Sequence, residues 1–208
     1  VETAGGGVEI GDVDGEVEVF TAGGSIGLAR LGGAVTARTA GGAIDLLGAE
    51  GDVRLNTAGG SITIDRVSGS VQARTAGGSI EVAHADGTVR ARTAGGAIRI
   101  GRSGGSVEAH TAGGSVTIDD VGGAVDASTA GGNITATLRT QPVGDSRLRT
   151  FGGGVRVDIA DGIALNVDAR SGDGRIRSDF DFPEGAVDDD GAMLRVALHG
   201  GWPGLTIR

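Results

Sequence analysis

A threonine recurs every 18 residues, at Thr3, Thr21, Thr39, Thr57, Thr75, Thr93, Thr111 and Thr129, and each opens a Thr-Ala-Gly-Gly phrase. Hydroxyls in such a rank have two uses: on a flat outer face they order water, as in ice-binding β-helices, and at a turn they hydrogen-bond local backbone. Gly23–Gly27 reads Gly-Gly-Ser-Ile-Gly, the G-x-S-x-G spacing of a nucleophile elbow, which needs a strand-to-helix turn with a histidine and an acid nearby. Glu108 and Asp126 stand one repeat apart, a spacing at which two carboxylates could share acid–base work on a glycosidic bond. His84, His110 and His199 are the only imidazoles, and Val187–Gly191 (Val-Asp-Asp-Asp-Gly) is an acidic run with the oxygen ligands a hard cation wants.

What each group can do depends on the elements that hold it, and these follow from a period inside the period. Each 18-residue unit divides into two nines with Gly at position four, as in Thr75–Ala83 and His84–Arg92. That glycine recurs without a gap from Gly6 to Gly132, and position six is Val or Ile in every copy, from Val8 to Ile134. Position eight is aliphatic or Ala, and the intervening residues, such as Glu81, Arg90, Arg99, Glu108 and Thr117, are polar. Two apolar side chains two residues apart are strand periodicity with one buried face. A Gly every nine residues, each costing about 1 kcal/mol against Ala, argues against a helix.

The expected fold is all-β: a parallel β-solenoid, a two-walled β-roll or β-helix of 18 residues per lap, with successive laps stacking in register at about 4.8 Å. In the second half-lap, position eight is Ala at 37, 73, 91, 109 and 127, opposite larger aliphatics from the first half, so a thin core is expected. A three-sided hexapeptide coil wants an aliphatic every six residues, which the two-then-seven spacing denies. The calcium-binding β-roll shares the glycine at four and the aliphatic at eight, but its ligand Asp at six is Ile or Val in every copy. The chain reads as a single domain over 1–208, with regular laps over 1–137, 21-residue laps over 138–179 that gain residues near Gln141–Ser146, and a C-terminal cap region over 180–208. Phe151, Phe180, Phe182 and Trp202 hold four of the five aromatics, and Phe180, Phe182 and Trp202 are expected to cover the open end of the core.

On this frame the chemistry thins out. Serine is not constant at the elbow position, since Ala43 and Ala97 replace it and Ser61 and Ser79 lack the final Gly. No two histidines share a repeat position. By strand parity from Val89 and Ala91, Thr93 points inward or starts the turn, which makes the threonines structural. No catalytic, cofactor-binding or metal residue is assigned, and no cofactor is expected. The net charge is −9, with all 18 basic residues Arg, and the linear sequence shows no basic stripe, so nucleic acid is not expected as a partner. Cysteine is absent, which removes disulfide and thiolate chemistry. No apolar run is long enough to span a bilayer, so direct membrane insertion is not expected. The sequence opens inside a repeat, and any targeting segment is expected outside it.

The Thr-x-Gly-Gly-x-Ile laps, the Ser171–Phe180 segment (SGDGRIRSDF) and the closing Leu198–Arg208 phrase (LHGGWPGLTIR) together resemble a bacterial adhesin-type domain family of unknown function. The resemblance covers essentially the whole chain, and Gly200–Arg208 is its most specific part; the laps here are more uniform than the family pattern. It implies a right-handed parallel β-solenoid in exported or cell-envelope proteins, with no established catalytic residues to carry over. The leading expectation is a non-catalytic envelope scaffold or adhesin-like module presenting polar solenoid faces to an envelope or surface partner, with glycan as the candidate ligand. The alternatives are a self-assembling filament joined end to end and a polysaccharide-binding or polysaccharide-active β-helix protein.

Overall fold

The computed structural model describes residues 1–170, 193–198 and 204–207. It is a β-solenoid of about nine turns, with twenty-one strands and no helix among those residues. No helix of the described residues is therefore long and apolar enough to cross a membrane.

The lap Thr75–Arg92 shows how the sequence builds a turn of the coil. Ile80–Ala85 forms one strand and Val89–Arg92 the other. The first pairs in parallel with Ile62–Val67 before it and Ile98–Ser103 after it, matching Ile80 with Ile62 and Ile98. The second does the same on the opposite side, matching Val89 with Val71 and Val107. Repeated along the chain, this gives a nine-stranded wall and a twelve-stranded wall, in which the strands up to Thr150 are each hydrogen-bonded to the copies one lap away. Shifting any lap by one residue would turn its aliphatics outward, so the alternation itself pins the register.

The core lies between the walls. Ile80, Val82, Val89 and Ala91 are buried, as are their equivalents from Ile26 to Ala127. Small Ala at 37, 73, 91, 109 and 127 faces the larger side chains of the other wall, giving the thin core the sequence predicts. One further inward column was not anticipated. Leu31, Ala49, Val67, Ala85, Ser103 and Val121 are also buried. They sit three residues after the previous inward position, because two consecutive residues, such as Ala83 and His84, face out where the strand bends. The two nines are therefore not equivalent: one corner turns on a buried Thr and the other on this column, which is apolar except at Ser103.

Close approach of the backbone explains the glycines. A Cβ on Gly78 would fall on the carbonyl of Gly60, and the same holds for Gly60 over Gly42 and Gly96 over Gly78. At the other corner a Cβ on Gly87 would come 2.7 Å from the Gly69 oxygen. None of these stacked glycines needs a left-handed backbone; the positive-φ glycines among the described residues are Gly144 and Gly162, in the later, wider laps.

The pattern changes after Thr129. Ile134 pairs with Val155 and Asp126 with Arg147, so the lap gains three residues, and they lie between the strands ending at Leu138 and starting at Ser146. Gln141 clasps this excursion to the next lap, donating from Nε2 to the Ala164 carbonyl at 3.0 Å and accepting from the Ala164 amide at 2.9 Å. On the twelve-stranded wall the neighbour of Ser146–Thr150 is the C-terminal strand Gly204–Ile207, inserted ahead of Leu165–Arg170. The wall then ends on Met193–Leu198, which runs antiparallel to Leu165–Arg170. The expected capping aromatics Phe180, Phe182 and Trp202 lie outside the described residues, as does the Ser171–Asp179 half-lap.

Candidate functional site

The threonine column is a backbone clamp. Thr75 Oγ1 donates to the carbonyl of Gly60 in the preceding lap at 2.8 Å and accepts the amide of Gly78 in its own corner at 3.2 Å. The same pair of bonds recurs at Thr21, Thr39, Thr57, Thr93, Thr111 and Thr129. All seven are buried, so they form no outer water-ordering face. Burying a hydroxyl without partners is costly; here both the donor and the acceptor are used.

The serines of the elbow-like phrase have a similar task. Ser25 Oγ accepts the Ala43 amide at 3.2 Å, and Ser61, Ser79 and Ser115 serve the lap that follows each of them in the same way. Ser25 is followed by the strand Ile26–Leu31 rather than by a helix. The strand-to-helix turn of a nucleophile elbow is therefore absent at Ser25.

Glu108 and Asp126 are register partners on the twelve-stranded wall, as the spacing predicts. Yet Glu108 turns toward the opposite neighbour. It meets Arg92 in a short ion pair, Arg90 Nε at 3.2 Å and His110 Nε2 at 3.3 Å. The Arg92 guanidinium bonded to it holds its carboxyl below the usual range; His110 acts in the same direction, and partial burial opposes them. A glycosidic general acid needs a carboxyl with a raised pKa, and Glu108 is shifted the other way. His110 Nδ1 lies 2.6 Å from Ser128 Oγ, and His84 is 2.9 Å from Asp86. The two histidines are on different walls, and no group of three or more metal-ligating side chains comes together among the described residues. His199 and the acidic run Val187–Gly191 lie outside those residues.

One arrangement escaped the linear sequence. On the outward face of the twelve-stranded wall, two columns run along the coil. One reads Glu18, Thr36, Arg54, Gln72, Arg90, Glu108, Asp126, and the other Phe20, Arg38, Asn56, Arg74, Arg92, His110, Ser128. Between Thr36 and Arg92 these columns contain five arginines and no acid, and all five are exposed. This is a basic stripe, contrary to the sequence reading that none exists. It was hidden because its members come from four successive laps of an acidic chain. Asp52, at the corner beside Arg54, is occupied in accepting the Ser70 amide at 2.8 Å. Arg54 Nε donates to Gln72 at 2.7 Å, and the Arg38 guanidinium lies 5.6 Å from the centre of the Phe20 ring.

No family model, curated protein or solved structure matches the chain. The functional reading therefore rests on the residues themselves.

Proposed function

We propose that this protein is a non-catalytic scaffold of the bacterial cell envelope, an adhesin-like repeat module that presents polar solenoid faces to surface partners. One observation carries the reading. The residues whose types suggested chemistry, the threonines, the elbow serine and Glu108, are engaged in lap-to-lap hydrogen bonds or ion pairs, while the variable polar positions between the inward residues of each strand face outward. The invariant phrase serves the coil, and the variable outer columns are free to recognise. The envelope location draws its support from the resemblance of the laps and of the closing Gly200–Arg208 phrase to the adhesin-type family.

Fractionation and surface labelling of cells producing the full-length protein test this reading. The expected result is recovery with the envelope or the medium and labelling on intact cells. Recovery solely in the cytosol would overturn it, as would depolymerised products after incubation with polysaccharides.

A further inference from the structure

We propose that the twelve-stranded wall, between Thr36 and Arg92, is a binding face for a linear acidic polysaccharide whose charges are carboxylates. The inference rests on the scaffold reading above and names its ligand class.

The face supplies what such a chain requires. Across three successive laps one arginine alternates with one neutral hydrogen-bonding group: Arg38 beside Thr36, Arg54 beside Asn56, and Arg74 beside Gln72. The arginine switches column at each step, giving a chequered pattern of guanidinium and amide or hydroxyl. Stacked strands repeat at about 4.8 Å, so the cations advance at roughly the length of one sugar ring. A polyuronate offers one carboxylate and several hydroxyls per ring, and the guanidinium fork matches a carboxylate with two parallel bonds. Thr36, Asn56 and the Nε2 of Gln72, whose Oε1 accepts from Arg54, are left to meet the hydroxyls. The face ends at Glu18 and Phe20 on one side and at Glu108 and Asp126 on the other.

Nucleic acid fits less well. Duplex DNA carries one charge per about 1.7 Å of axis, against about one arginine per lap on this face. The protein as a whole carries −9. Single strands gain affinity from aromatic platforms, and the columns from Thr36 to Arg92 hold no aromatic residue.

Glu108 gives the proposal a second handle. Its carboxylate occupies Arg90 and Arg92, the last arginines of the face, and competes with any ligand carboxylate there. Replacing it should lengthen the usable face.

The test is affinity electrophoresis and titration calorimetry of the intact protein with sodium polygalacturonate, using neutral dextran, oligothymidylate and duplex DNA as comparisons. Expected are binding to polygalacturonate that weakens with added salt and no retention by dextran. The R38Q/R54Q/R74Q variant should lose about tenfold or more in affinity, since each change removes a charge-assisted contact. R99Q on the opposite wall should bind as the parent does, and E108Q should bind more tightly, a gain that misfolding cannot mimic. The proposal falls if polygalacturonate is not bound at low salt, if the triple variant binds unchanged, or if DNA is held more tightly than polygalacturonate. A surface-located protein that ignores polygalacturonate would sink this inference alone; a cytosolic one would sink the scaffold reading whatever it binds in vitro.

Discussion

Thr75 places a polar side chain at the edge of an apolar core, and its two hydrogen bonds tie adjacent laps together. Replacing it with Val keeps the shape but leaves the Gly60 carbonyl and the Gly78 amide without that partner. T75V should cost about 1–3 kcal/mol in urea unfolding, and T75S, which keeps the oxygen, should cost clearly less. A larger loss in T75S than in T75V would mean that the methyl group, not the hydroxyl, matters. Glu108 makes a pH-dependent contribution. Because its carboxyl is held below the usual range by Arg92, its stabilisation is present above the unfolded-state pKa and fades as pH falls through the lower folded value. Between about pH 5 and pH 3 the parent should therefore lose more stability than E108Q in parallel thermal scans. A steeper loss in E108Q would overturn this assignment. At this scale the threonines were legible, because strand parity alone aimed Thr93 inward. The ties of Glu108 were not: Arg90 is a full lap away in sequence, and the choice between Arg92 and Asp126 is made by side-chain rotamers.

The two glycines of each Thr-Ala-Gly-Gly corner look alike in sequence but meet different surroundings. A Cβ on Gly78 collides with the backbone of Gly60, whereas one on Gly77 sits 3.4 Å from the nearest atom, the Gly59 oxygen. Backbone cannot yield as a flexible side chain can, so G78A should destabilise by about 3 kcal/mol, the upper end for overpacking. G77A should stay within about 1 kcal/mol of the parent, because Ala at an unstrained position also narrows the unfolded ensemble. Denaturant unfolding of the pair decides it, and equal effects would refute the backbone-stacking account. The half-lap strand was readable from its spacing of two, and its burial followed. The sixth residue of the longer strand was not. Leu31, Ala49, Val67, Ala85, Ser103 and Val121 lie inside because the strand bends after position eight, and a column that admits both Leu and Ser carries no clear apolar signal. The insertion of Gly204–Ile207 beside Ser146–Thr150 was equally hidden, since a parallel partner so far along the chain leaves no periodicity to follow.

For the whole molecule, a period of 18 residues means that each lap is bonded chiefly to the laps on either side. In such quasi-one-dimensional folds, stability is close to a sum of unit and interface terms. Removing Thr75–Arg92 would bring Ile62–Val67 against Ile98–Ser103 and Val71–Arg74 against Val107–His110. Both are joins between strands that already share one register through the lap removed. Both corner types would be kept, with Gly96 stacking over Gly60 as Gly78 does in the parent. The shortened protein should fold to the same β-rich far-UV circular dichroism, with a smaller total stability. Removing Thr75–Ala83 deletes only nine residues and leaves the nine-residue glycine rhythm of the sequence intact. It nevertheless joins two strands of the same wall in succession and deletes one Thr corner, so the apolar corner would have to stack where a buried hydroxyl is needed. That variant should lose cooperative unfolding and aggregate on gel filtration. If the nine-residue deletion folded as well as the eighteen-residue one, the two corners would be interchangeable and the inequivalence of the half-laps would be wrong.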